Sequence, residues 1–222
     1  MNSDMYKINA CIFDLDGVVV DTAKYHYLAW KRLAKELGFD FTIEANERLK
    51  GISRLDSLNI LLEIGGKVLS ADEKEKLAEK KNQWYLEYIN KMQPDEILPG
   101  VKNFIKELKS KGIRIGLGSA SKNAKLILNQ LEIIDLFEVI ADGTRVLKAK
   151  PDPEIFLLAA KDLNVDPHQC IVFEDAEAGI EAANRGGFTS VGVGDPKILC
   201  KAKAVIPNFI GMTLDKMTGL IG

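Results

Sequence analysis

From Gly100 onward the chain alternates short apolar runs with segments of helical period, and this alternation restricts the fold more than any other feature. Val101, Phe104, Ile105 and Leu108 mark one helix face, which stops at Lys111-Gly112. Ile113–Gly118 reads as a strand ending in Ser119, Ala124, Ile127, Leu128 and Leu131 as a helix, and Val139–Ala141 as a strand ending in Asp142-Gly143. Pro153-Glu154 opens a helix with Ile155, Phe156, Ala159, Ala160 and Leu163 inward, since proline is tolerated in a first turn. Cys170–Phe173 is a strand ending in Glu174-Asp175. An Ala-rich helix from about Ala176 to Arg185, closed by Gly186-Gly187, then leads to a strand over Thr189–Val193. Strand and helix in strict succession predict an α/β fold, a Rossmann-like doubly wound parallel sheet with helices on both faces.

In such a sheet the C-terminal strand ends share one edge, which is where ligands bind. An earlier apolar run, Cys11-Ile12-Phe13, adds Asp14-Leu15-Asp16-Gly17 to that edge. Side chains alternate along a strand, so Asp14 and Asp16 are expected to point the same way. A carboxylate pair of this kind suits phosphoryl transfer, with Asp14 attacking phosphorus to form an aspartyl-phosphate and Asp16 moving the proton. Two anions must then be brought together, which calls for a hard cation such as Mg²⁺. Ser119, Asp142, Lys150 and Glu174-Asp175 are expected on the same edge. Each is an ordinary turn residue by itself, and their convergence is what points to a site.

Composition narrows the class further. A length of 222 residues leaves room for one sizeable core and a smaller second domain. A net charge of −2 gives no reason to invoke nucleic acid or a membrane surface. Met1–Lys7 lacks the basic and apolar blocks of a signal peptide, so a cytoplasmic protein is expected. The three cysteines, Cys11, Cys170 and Cys200, read as reduced core residues. No long apolar edge argues for a dimer, and a monomer is the default.

Between the first two strands the pattern is helical throughout. Asp21 or Thr22 caps a helix whose apolar face runs through Tyr27, Trp30, Leu33, Ala34 and Leu37 to Gly38. Ser70-Ala71-Asp72-Glu73 is a capping box, and its helix continues through Leu77, Trp84 and Tyr88. Residues 22–92 are therefore expected to form an inserted all-α cap domain, with 1–21 and 93–222 as the α/β core domain. The crossings near Asp16–Thr22 and Gln93–Pro99 would be hinges, and a closing cap would exclude water. Within this segment Arg54 follows Lys50-Gly51-Ile52-Ser53, a glycine and a guanidinium suited to gripping a phosphate. Ser119-Ala120-Ser121-Lys122-Asn123 offers a second such grip at an expected helix N-terminus.

Asp14-Leu15-Asp16-Gly17-Val18, then Ser119, Lys150 and Glu174-Asp175, resemble the four motifs of the haloacid dehalogenase superfamily, from about Ala10 to Val193. The resemblance implies Asp14 as nucleophile, Asp16 as acid/base, and Ser119 and Lys150 as groups that orient the phosphate. It also implies Mg²⁺ held by Asp14, the Asp16 carbonyl and Asp175, with Glu174 assisting. Lys148 competes with Lys150, but only Lys150 directly precedes Pro151, as the family pattern requires.

The β-phosphoglucomutase branch of that superfamily is similar in more specific ways. Asp21-Thr22 with His26, Lys50-Gly51-Ile52-Ser53-Arg54 with Ser57, and Ser119–Asn123 all follow its pattern. By this resemblance Arg54, Ser121, Lys122 and Asn123 contact a distal phosphate, while Gly51, Ile52, Ser57 and Lys81 shape the sugar side. Thr22, His26 and Lys50 complete the implied substrate set, with His26 linking the hinge to the positioning of Asp16. Gly118 departs from the Ala common in the branch and is expected to loosen its loop. The activity implied is interconversion of β-glucose 1-phosphate and glucose 6-phosphate through β-glucose 1,6-bisphosphate, the partner being a small sugar phosphate. A sugar-phosphate or phosphoglycolate-type phosphatase, and a catalytically idle binding module, are the alternatives.

Overall fold

The computed structural model describes residues 8–49 and 52–222. The chain packs as two units, divided at Asp21/Thr22 and again at Gln93/Pro94.

The first unit is built on a six-stranded, wholly parallel sheet in the order β3-β2-β1-β4-β5-β6. Its strands are β1 Ala10–Phe13, β2 Arg114–Gly118, β3 Val139–Ala141, β4 Cys170–Glu174, β5 Thr189–Val193 and β6 Ala204–Ile206. Between them run α5 Val101–Ser110, α6 Ala124–Gln130, α7 Glu154–Asp162 and α8 Glu177–Arg185, and α9 Leu214–Ile221 follows the last strand. The strand order reverses direction beside β1, between it and β4. In doubly wound sheets this switch point opens the crevice that binds ligands.

Parallel register sorts the core into two layers. Ala10 pairs with Cys170 and Ile12 with Val172, and these face α7 and α8, packing on Ile155, Phe156, Ala159 and Ala183. Phe13, paired with Phe173, faces the other way into an aromatic cluster, stacked on Phe173 at 4.7 Å and edge-on to Phe104 of α5 at 6.4 Å. The one-residue offset between Cys11 and Cys170 turns them to opposite layers. Both are buried, and burial pushes their thiols up, Cys170 to about 12, so they remain protonated and inert. Cys200 corrects the sequence reading: it is exposed, because it lies in the turn after Leu199, whose side chain fills the core instead.

The C-terminal elements β6 and α9 are absent from the sequence reading. Strand β6 is three residues long on the sheet's edge and only its last residue is buried, so it carries no alternation to detect.

The second unit is helical, with α1 Ala23–Glu36, α2 Ile43–Glu47, α3 Arg54–Ile64 and α4 Ala71–Ile89. Helix α4 starts with the expected capping box: Ser70 Oγ accepts from Glu73 N while Ser70 N donates to Glu73 Oε2. Thr22 occupies the N-cap position of α1, but its helical backbone (ψ −3°) leaves it without a side-chain cap hydrogen bond, contrary to expectation. Helices α1 and α4 meet where His26 stacks on Tyr85 at 4.1 Å and Lys81 lies over Trp30, and Arg32 stacks on Trp84 at 4.2 Å.

Candidate active site

Strand β1 ends at Phe13, one residue short of the first carboxylate. Beyond it the chain turns through Asp16: Gly17 N donates to Val20 O, and Val19 N and Val20 N both donate to Leu15 O, and Asp16 stands close enough for its charge to act on Asp14. Asp14 remains tied to the sheet through its own N–H, which donates to Phe173 O at 2.9 Å.

Lys150 is the centre of the arrangement. Its ammonium donates to Asp14 Oδ1 at 2.5 Å, to Glu174 Oε1 at 2.6 Å and to Gly118 O at 3.3 Å. Lysine, aspartate and glutamate are all buried. Lys148, the competing lysine, lies on the surface and pairs with Asp152 at 3.3 Å. A buried pair of this kind is weak evidence for stability, since desolvation offsets the attraction, and stronger evidence for a site.

Glu174 spends both oxygens, Oε1 on Lys150 and Oε2 on Ala176 N at 2.7 Å. It therefore anchors the lysine. Its carboxyl lies against Gly179, where a Cβ would stand 2.0 Å from Glu174 Cδ. Asp175 is held similarly: a Cβ on Gly17 would fall 2.0 Å from Asp175 Oδ2, and Gly17 has φ +78°, so glycine is required there twice over.

Four carboxyl groups around one ammonium leave excess negative charge. Burial, reinforced by Glu174 and Asp16 and opposed by Lys150, pushes the Asp14 carboxyl up to about 8. Burial and the neighbouring Glu174, Asp14 and Asp16 push Asp175 up to about 9. Lys150 is held charged by Asp14 and Glu174 against its own burial. This is the charge deficit that a dication would relieve. Among the described residues no three His, Cys, Asp or Glu side chains form a ready-made cage. Carboxylate oxygens such as those of Asp14 and Asp175 suit Mg²⁺, which keeps several waters and takes one or two carboxylates.

Ser119 is fully buried at the end of β2, where its Oγ accepts from Ser121 N at 3.1 Å. Ser121 Oγ accepts from Asn123 N at 3.2 Å, and Lys122 is exposed. Asn123 precedes α6 without capping it, so the expected anion-favouring helix start is only a short, uncapped turn. Asp142, placed on the edge by the sequence, is absorbed locally: its Oδ1 accepts from Thr144 N and Thr144 Oγ1. Gly118 belongs to β2 and not to a loop. Phe156 Cδ1 would stand 2.7 Å from a Cβ there, so the missing methyl makes room for a ring instead of loosening the chain.

The remaining candidates lie in the helical unit. Arg54 opens α3 and pairs with Glu79 at 3.5 Å, Ser57 is buried one turn on, and Ile52 stands in the bend before them. Lys81 is buried in α4, 4.4 Å from the Trp30 ring centre and 4.9 Å from that of Tyr85, and its ammonium is 2.8 Å from His26 Nδ1. Burial and the Lys81 and Arg54 cations hold the His26 imidazole well below its usual range, so it is neutral and accepts from Lys81. His26 also stacks on Tyr85 at 4.1 Å. Lys50 and Gly51 lie outside the described residues. Phe156, Gly179 and Glu79 are the site neighbours that the sequence reading did not single out. Only Phe156 had a signal, an aromatic residue one helical turn after Lys150-Pro151-Asp152-Pro153.

Known proteins share this architecture. A family model described as haloacid dehalogenase-like hydrolase matches residues 8–187. The chain is 46% identical over 211 residues to a β-phosphoglucomutase of Bacillus subtilis, covering 94% of this chain and 93% of that one. It is 32% identical over 206 residues to a phosphorylated carbohydrates phosphatase of Thermotoga maritima, covering 89% and 93%. A crystal structure of a β-phosphoglucomutase from Clostridium difficile superimposes with a TM-score of 0.92 at 47% identity, over 96% of this chain and 97% of that one. No helix among the described residues is long and apolar enough to cross a membrane. A sheet whose switch point gathers Asp14, Lys150 and Glu174, and whose sequence matches the family model from residue 8 to residue 187, places this chain in the haloacid dehalogenase-like hydrolase family.

Proposed function

We propose that this chain is a β-phosphoglucomutase, interconverting β-glucose 1-phosphate and glucose 6-phosphate through an aspartyl-phosphate enzyme and β-glucose 1,6-bisphosphate. The observation that carries the reading is the extent of the likeness, which spans 94% of the chain at 46% identity and so includes the helical unit as well as the sheet.

Asp14 is the nucleophile, and its carboxylate oxygen forms the bond to phosphorus. Lys150, fixed by Glu174, supplies positive charge beside that oxygen and helps hold the transferring group in line. Asp16 takes the proton from the sugar hydroxyl in one half-reaction and returns it to the leaving oxygen in the other. Ser119 presents its hydroxyl to a phosphate oxygen. Asp14, the Asp16 carbonyl and Asp175 would hold Mg²⁺, which supplies charge neutralisation at the phosphate. Glu174 would assist at that site while its other contact holds Lys150.

Arg54 of the helical unit, and Ser121, Lys122 and Asn123 of the sheet unit, are the candidate ligands of the distal phosphate of the bisphosphate. Ile52, Ser57, Thr22, His26 and Lys81, with Lys50 and Gly51 by resemblance, are the candidates for recognising the sugar. The partner is a small sugar phosphate, and the protein acts as a cytoplasmic monomer.

The test is one reaction with Mg²⁺, β-glucose 1-phosphate and a trace of the 1,6-bisphosphate, following glucose 6-phosphate and inorganic phosphate together. Rapid glucose 6-phosphate with little phosphate, and no turnover of the α anomer, is expected. Phosphate released in step with substrate loss would instead favour the phosphatase reading, to which the 32% identical Thermotoga relative lends weight.

A further inference from the structure

Phe156 has no part in the reaction above, yet its ring occupies the space that decides where Lys150 sits. The side chain is fully buried in the first turn of α7, and the Lys150 ammonium stands 4.7 Å from its ring centre. On the β2 side a Cβ at Gly118 would lie 2.7 Å from Phe156 Cδ1 and 2.9 Å from Cε1, so the ring packs on bare backbone. The carbonyl of that same Gly118 accepts a hydrogen bond from Lys150 at 3.3 Å. Behind the ring stands Phe188, edge-on at 6.2 Å, itself seated where a Cβ on Gly186 would come within 2.6 Å. Phe156 is thus wedged between Gly118 and Phe188 with its face toward the ammonium.

We propose that Phe156 is a positioning residue for phosphoryl transfer: its π face holds the Lys150 ammonium between Asp14 and Glu174, and the absence of a side chain at Gly118 lets it do so. The chemistry asks for such a contact. When Asp14 turns its oxygen to phosphorus, its hold on Lys150 weakens, and the ammonium would follow Glu174. A ring face attracts a cation but takes no proton, so it keeps the ammonium in place without adding a competing base. The inference rests on Asp14 as nucleophile and Lys150 as its partner, and asks nothing of the sugar.

The experiment replaces Phe156 with mono-, di- and trifluorophenylalanine, which keep its shape and progressively withdraw negative potential from its face. Each enzyme is phosphorylated by acetyl phosphate with Mg²⁺. The acyl O–P bond breaks, acetate leaves with the electron pair, and the Asp14 oxygen forms the new bond to phosphorus. Rates at saturating acetyl phosphate should fall stepwise, roughly tenfold across the series, with KM and Tm unchanged. Equal rates across the series, or rates that fall only as Tm falls, would overturn the proposal. An enzyme that takes no phosphoryl group in any form loses both Asp14 as nucleophile and the role of Phe156. One phosphorylated at Asp14 that makes no glucose 6-phosphate loses the mutase reading alone.

Discussion

Each unit of this protein buries a lysine beside an aromatic face, and the two differ in the polar groups that meet the ammonium. Lys150 sits between two carboxylates, Asp14 and Glu174, at 2.5 and 2.6 Å. Lys81 sits against the faces of Trp30 and Tyr85 and the neutral imidazole of His26. A carboxylate pair fixes a cation by strong, short-range Coulomb attraction. Aromatic faces and a neutral imidazole attract a cation more weakly than a carboxylate does. We propose that the chemistry belongs to the sheet unit, where Lys150 is already paired with Asp14 and Glu174, and recognition of the sugar phosphate to the helical unit.

The comparison breaks first at Lys150. Lys150→Ala should cut phosphorylation of Asp14 by about 10²–10³-fold, while Lys148→Ala, exposed and paired only with Asp152, should leave the rate unchanged. Single-turnover labelling with acetyl phosphate reads both. Lys81→Met, close in volume, should raise KM for β-glucose 1-phosphate about tenfold through loss of a charged hydrogen bond and leave that labelling rate intact. Equal damage to both reactions would erase the distinction between the units.

Acidity sharpens the same contrast. Asp14 and Asp175 have folded values of about 8 and 9 against 3.8 for the free side chain, so the folded protein holds the extra protons between those limits. Their contribution to stability is full below pH 3.8 and is lost as pH rises toward 8 and 9. Without divalent ions Tm should therefore fall over that range, and saturating Mg²⁺ should flatten the slope. His26 carries the opposite sign: its folded value lies below 6.5, so its contribution is present above 6.5 and is lost as pH falls. His26→Asn should remove that acid limb alone. The smallest effect belongs to Ser70→Ala, which opens the capping box of α4 and should cost about 1 kcal/mol in urea unfolding.

Much of the α/β unit was legible because its strands end on chemistry. The apolar runs into Asp14, Ser119 and Glu174 mark strand ends, and the adjacency of Lys150 to Pro151 separates it from Lys148. What the sequence hid is set by partners distant along the chain. That Glu174 accepts from both Lys150 and the Ala176 amide has no local signature in the sequence. Gly118 reads as slack until Phe156, far along the chain, fills the space beside it. The three residues of β6 are too few to show a period, and Cys200 looks apolar by its neighbours although only Leu199 turns inward. In the helical unit the capping box was explicit, whereas the Lys81–His26 contact joins two helices and has no local signature.

A mutase passes the phosphoryl group on Asp14 to a sugar and not to water. The direct measurement isolates enzyme labelled at Asp14 by ³²P-acetyl phosphate, mixes it with β-glucose 1-phosphate and Mg²⁺, and counts the label within one turnover. Label appearing in β-glucose 1,6-bisphosphate, with Arg54→Ala diverting it to inorganic phosphate, is the predicted result. Label passing to inorganic phosphate at the same rate with and without the sugar would contradict it.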